Sequence, residues 1–198
     1  MRIKILLAGL LLIVSTTSAL AAGPYIGAAG GISITHDGDT TVTGVGTVDT
    51  EYDTGFGFNL SAGYSFDPVR LEFEFGYKNA DMDKISGPGG SIPVPDTEIT
   101  VMSYMVNALY DFKTGSQFTP YIGAGLGLMN GELKSEGEKE DDTVFGYQVI
   151  LGAAYNVNQN LAFDLSYRLQ SAPSDFENSG VSIEYTSSNI MAGLRYNF

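Results

Sequence analysis

The sequence predicts an all-β fold: eight antiparallel strands running up and down and closed into a transmembrane β-barrel. Three observations predict it. Residues 188–198 alternate strictly, with Ile190, Ala192, Leu194, Tyr196 and Phe198 on one face and Asn189, Met191, Gly193, Arg195 and Asn197 on the other. That is the period of two of a strand with one apolar and one polar face, and about eleven residues is the length a tilted strand needs to cross a bilayer. The same alternation returns along the whole chain. The connections between these segments are short and long by turns, as in membrane-spanning barrels.

The chain of 198 residues is long enough for one domain, residues 22–198, behind a leader, residues 1–21. Arg2 and Lys4 precede an apolar run from Ile5 to Val14, too short to span a membrane as a helix. Ser15 to Ser18 is polar, and Ala19-Leu20-Ala21 fits a small-x-small cleavage site, so the segment reads as a secretory signal peptide. Cleavage after Ala21 is expected, with Ala22 as the alternative site, and intact mass of the exported protein distinguishes the two. Losing Arg2 and Lys4 takes the formal charge from −13 to −15. Such a surface repels nucleic acid. Cysteine is absent, which excludes a disulfide framework and a thiolate zinc site. The apolar fraction of 43% is ordinary because half of each barrel strand faces inward and is polar.

The strands follow in order. The first runs 24–35. The second, 54–66, sets Phe56, Phe58, Leu60, Ala62, Tyr64 and Phe66 on one face. Asp67-Pro68 turns the chain. The third, 69–79, sets Val69, Leu71, Phe73, Phe75 and Tyr77 against Arg70, Glu72, Glu74 and Lys78. The fourth runs 98–112 and the fifth 117–130, joined by a turn at Gly115. The sixth, 143–157, alternates through Phe145, Tyr147, Val149, Leu151, Ala153 and Tyr155, and Asn158-Gln159 turns it into the seventh, 160–171. The seventh sets Asp164, Ser166, Arg168 and Gln170 opposite an apolar face, and the eighth closes the chain.

Long connections are expected at 36–53, 80–97, 131–142 and 172–185. Eight strands then place both termini on the short-turn side. Tyr64, Phe66, Tyr110, Phe112, Phe118, Tyr155, Tyr196 and Phe198 fall near that end, as an interfacial aromatic girdle requires. Pro24-Tyr25-Ile26-Gly27-Ala28 recurs as Pro120-Tyr121-Ile122-Gly123-Ala124, four strands on. Parity turns Gly27, Gly31, Gly123, Gly125 and Gly127 inward, where glycine leaves room for large side chains.

With these segments the chain resembles the small outer-membrane barrels of the OmpA-transmembrane and OmpX type. The Tyr-Ile-Gly-Ala segments at 25–28 and 121–124 are similar to those of the porin-like surface-antigen family. The resemblance implies a bacterial outer-membrane location, contact with outer-membrane lipids, and a surface-exposed, often immunogenic and sometimes adhesive barrel. It implies that Tyr196 and Phe198 carry an assembly signal read by the barrel-insertion machinery. The peptidoglycan-binding role of larger relatives is not carried over.

The candidate site is the lumen, where Arg70, Glu72, Glu74, Lys78, Asp111, Asp164, Arg168 and Arg195 are expected. An eight-stranded barrel is just wide enough for its side chains to fill it, so these charges read as a plug, with Asp164 pairing Arg195 and Glu72 and Glu74 reaching Arg168. The four long loops hold 17 of the 23 acidic residues, opposed by Lys84, Lys134 and Lys139; the run from Glu136 to Asp142 reads as a solvated, disordered surface. His36 has Ser33, Asp37 and Asp39 near it in sequence, but a Ser–His–acid site is a matter of geometry. No catalytic, metal or cofactor site is therefore expected. The reading is a monomeric structural or adhesive surface protein that engages an extracellular or host ligand through its loops. A small passive porin-like channel is the alternative, and a soluble lipocalin-like barrel would need the apolar face turned inward.

Overall fold

The computed structural model describes residues 22–198 except 37, 43–45, 53, 88–89, 94–97, 136–137, 174–175, 179–180 and 184, with side chains over 22–36, 54–80, 100–132, 142–173 and 185–198. The leader lies outside the described residues. Eight strands build the barrel: β1 (Gly23–Thr35), β4 (Thr54–Ser65), β5 (Val69–Gly87), β7 (Glu98–Asp111), β8 (Phe118–Ser135), β9 (Glu138–Asn156), β10 (Leu161–Ser171) and β13 (Thr186–Asn197). Each pairs antiparallel with the next, and β1 pairs β13 to close the ring.

Five short strands stand beyond the barrel on the long-loop side: β2 (Gly38–Val42), β3 (Gly46–Tyr52), β6 (Gly90–Pro93), β11 (Phe176–Asn178) and β12 (Val181–Ile183). They form a sheet in the order β11-β12-β2-β3-β5, with β6 also on β5. The long connections thus carry β-structure among their described residues, and residues 138–142 of the acidic run read as disordered are part of a ladder. Glu138 to Asp142 pairs with Gly131 to Ser135, placing Asp141 opposite Glu132 and Lys139 opposite Lys134.

The register measures the barrel. A row of paired residues starting at Tyr25 passes through Gly63, Glu72, Asn107, Gly125, Gln148, Gln170 and Ser187 and meets β1 again at Thr35. The return lies ten residues along β1 from the start, so the strands are strongly tilted. The alternation turns out as expected. Phe58, Phe73, Val106, Leu126, Leu165 and Leu194 are exposed on the outer wall, while Asn59, Glu72, Glu74, Asn107, Gln148 and Arg168 are buried inside. This is the polarity of a barrel in lipid, opposite to that of a soluble barrel with a greasy pocket.

The short turns lie together at one end. Phe66 N–H donates to Val69 O at 2.7 Å across Asp67-Pro68. Gly115 takes φ of 72°, where a side chain would be strained. Asn158 Oδ1 accepts from the amides of Asn160 (2.9 Å) and Leu161 (2.8 Å), an Asx turn. Ring pairs Tyr64–Phe66, Tyr110–Phe112 and Tyr196–Phe198, with centroids 4.8, 5.1 and 5.1 Å apart, stand on the wall at this end. Because the wall is held by a closed hydrogen-bonded ring, the unboiled protein is expected to run at a different apparent mass from the boiled protein in detergent gels. Extraction by salt wash alone would contradict a membrane-spanning barrel.

Candidate functional site

Every inward-facing charge in the lumen arrives there through strand parity, and the structure orders these residues into layers. At the short-turn end, Arg70 of β5 grips Asp111 of β7. Arg70 Nε lies 3.0 and 2.8 Å from the two carboxylate oxygens, and Nη2 lies 2.9 Å from Oδ1. The Arg70 guanidinium lies 4.8 Å from the Tyr121 ring centre and 5.6 Å from that of Tyr25. Arg195 Nη1 lies 3.7 Å from Asp164 Oδ2.

Above them the side chains of opposite walls meet. Arg168 of β10 forms an ion pair and hydrogen bond with Glu74 of β5, with both residues buried. Strands β5 and β10 are four places apart in the ring of eight. This pair therefore crosses the barrel axis. Glu72, also expected to reach Arg168, accepts instead from Tyr25 Oη at 3.0 Å and Asn107 Nδ2 at 3.0 Å. These partners lie beside it on its own paired row, closer than the far wall. Gln148 links the layers, donating to Asn107 Oδ1 at 2.7 Å and Glu74 Oε1 at 3.1 Å. Lys78 Nζ donates to Gln170 Oε1 at 2.6 Å.

Three features were not anticipated from sequence. The repeated Pro-Tyr-Ile-Gly-Ala segments place Tyr25 and Tyr121 inward on opposite walls, each donating its hydroxyl to a carboxylate, Glu72 and Asp164 respectively. Their parity with Gly27 and Gly123 held that signal. The amides Asn107, Gln148 and Gln170 join the charges on the row they share with Glu72. Toward the long-loop end Ala80, Val101, Met129, Val144, Ala172 and Tyr185 form one buried apolar cluster, in company with the buried polar Thr35, Ser187 and Asn189. Glycine accommodates the large side chains here. A Cβ at Gly63 would sit 2.6 Å from the Tyr25 ring, and one at Gly125 would be 3.0 Å from Asn107 Cγ.

The lumen opens at the short-turn end into a vestibule of about 840 Å³, lined by Arg70, Asp111, Lys113, Gln117 and Arg195 among others. His36 does not meet Ser33, which points into the lumen at 1% exposure. His36 Nε2 lies 2.8 Å from Ser188 Oγ, which is also 2.8 Å from Tyr167 Oη. Asp37 and the Asp39 side chain lie outside the described residues. Tyr196 and Phe198 are both exposed at the end of the closing strand, Phe198 at 68%. Its N–H donates to Pro24 O at 3.1 Å across the seam with β1.

A family profile described as the outer membrane protein β-barrel domain matches residues 5–198. The outer membrane protein PagN of Salmonella typhimurium is 31% identical over 182 residues, covering 78% of this chain and 76% of that protein. A candidate adhesin of Rickettsia conorii is 26% identical over 169 residues, covering 72% of this chain and 68% of that protein. Among solved structures, Neisserial surface protein A superposes with a TM-score of 0.64 at 23% identity, covering 92% of this chain and 100% of that one. OprG of Pseudomonas aeruginosa gives 0.60 at 18%, covering 89% and 96%. At those identities the two structures speak for the fold.

Proposed function

This chain belongs to the outer-membrane β-barrel family, and on that premise we propose that it is a surface barrel with a structural and adhesive role, whose lumen is plugged by its own side chains. It resides in the bacterial outer membrane, so the short turns and vestibule face the periplasm and the β-ribbons face outward. The observation that carries the reading is the Glu74–Arg168 pair across the axis. A barrel locked through its centre leaves recognition to its outer loops, where binding residues gather on a rigid scaffold. The adhesive role also draws on the Rickettsia relative.

The ligand is an extracellular or host surface component, or an antibody, bound through the acidic segment 36–53 or 131–142. Replacing both segments with short Gly-Asn turns is expected to leave a heat-modifiable barrel that no longer binds host cells. Retained binding would move the site to the remaining loops or the barrel wall. The alternative, a small passive channel, draws on the vestibule, but conduction would need the axial ion pair to open. The rest of the reading is a monomer, exported by a signal peptide cleaved after Ala21 and inserted by the barrel-assembly machinery through Tyr196 and Phe198.

A further inference from the structure

Two grooves run along the outer wall of the barrel. The first, of about 550 Å³, lies over β1 and β4, between Leu194 and Tyr196 on one side and Phe73 and Phe75 on the other. Ala28 and Ala62, the small outward side chains of that stretch, form its floor. The second, of about 630 Å³, lies over β7 and β8. Ala108 and Ala124 are paired at its floor, opposite Leu71 and Val149 on the strands to either side. Ala28 and Ala124 close the two Pro-Tyr-Ile-Gly-Ala segments. In each segment the tyrosine is buried inside and the alanine is exposed on the wall. Strands β1 and β8 are four places apart in the ring of eight, so the repeat sets the two grooves on opposite walls.

Both grooves sit in the half of the wall nearer the short turns. Tyr196, a ring of the aromatic girdle, lines the first. Ala108 of the second is two residues, about 7 Å, from Tyr110 of the same girdle. Such rings mark the height of the lipid headgroups, so a chain descending from a headgroup enters both grooves directly. The outward side chains lining them are apolar apart from the hydroxyls of Tyr147 and Tyr196. The wall lies in a membrane, and the occupant is drawn from what the membrane holds. A second copy would seat a ridge of one barrel in a groove of the next. Two grooves on opposite walls would repeat that contact into an open row rather than a closed pair. An acyl chain needs no matching ridge and fits both. In lipid there is no water to expel, so the gain is packing: an unfilled groove leaves its lining without dispersion contacts on one side.

We propose that the two grooves are acyl-chain seats, each holding one phospholipid of the periplasmic leaflet against the barrel. The test uses the whole barrel refolded in vesicles of phosphatidylethanolamine, released into mild detergent and weighed by native mass spectrometry. Species carrying one and two retained phospholipids are expected. Ala28→Phe, whose ring fills the first groove, is expected to remove the doubly loaded species, and Ala28→Phe with Ala124→Phe to remove both. Ala192→Phe enlarges an exposed wall residue outside both grooves and is expected to leave the loading unchanged. Heat-modifiable migration checks that each variant is still a folded barrel. A wild type that carries no phospholipid, or loading that Ala28→Phe and Ala124→Phe do not lower, overturns the proposal, as does an equal loss with Ala192→Phe. Wild-type dimers that Ala28→Phe dissolves would overturn it in favour of a second copy.

Discussion

Arg168→Ala and Glu74→Ala are each expected to destabilise the barrel by about 3–5 kcal/mol, the cost of leaving one buried charge without its partner. The two side chains come from opposite walls and meet where neither is in contact with bulk water. Removing Arg168 leaves Glu74 with the Gln148 amide as its hydrogen-bond donor, at 3.1 Å, which cannot balance a full charge. The double variant removes both charges and is expected to cost less than the sum of the singles. Urea unfolding of the refolded barrel in lipid vesicles measures all three. Additive losses would mean that the two groups do not act as a pair. By comparison, Lys113→Ala is expected to change stability by less than about 1 kcal/mol, because its pair with Asp67 lies at the exposed short-turn rim.

Phe198→Ser is expected to abolish most outer-membrane assembly while leaving the folded barrel, once formed, nearly as stable as before. The ring packs against Tyr196 but lies outside the closing strand, and the seam between β13 and β1 is made by backbone groups that serine retains. Deletion of Tyr196 to Phe198 is the harsher change, since it also removes the pairings of Tyr196 with Ile26 and Leu161 and of Asn197 with Tyr25. Surface display and heat modifiability in cells, set beside refolding of the same variant in detergent, separate assembly from stability. Normal display of Phe198→Ser would remove the assembly role.

The barrel was legible in the sequence because a period of two leaves little freedom. Once Leu71, Phe73 and Phe75 face lipid, Arg70, Glu72 and Glu74 must face inward. What the period does not carry is register, and register decided the partners. Asp164 and Arg195 lie on adjacent strands at similar heights above the short-turn end, which was enough to pair them, and their ion pair is formed at 3.7 Å. Glu72 needed the offset between β5 and β7, which sets it opposite Asn107. The apolar cluster near the long-loop end was hidden because Val101, Met129 and Val144 read as ordinary strand residues until the strands are closed into a ring. The rim was misread for a related reason. Charge density speaks for solvation of side chains, whereas the backbone of Glu138 to Asp142 pairs on through the hairpin it extends from the barrel.

The axial ion pair makes conductance the most direct test of a plugged surface barrel. Wild-type protein reconstituted in planar bilayers is expected to pass little steady current, and Glu74→Ala with Arg168→Ala is expected to give at most brief openings, because the buried cluster of Val101, Met129 and Val144 remains. Large, stable single-channel currents from the wild type, unchanged by either substitution, would contradict the plug and establish the channel in its place.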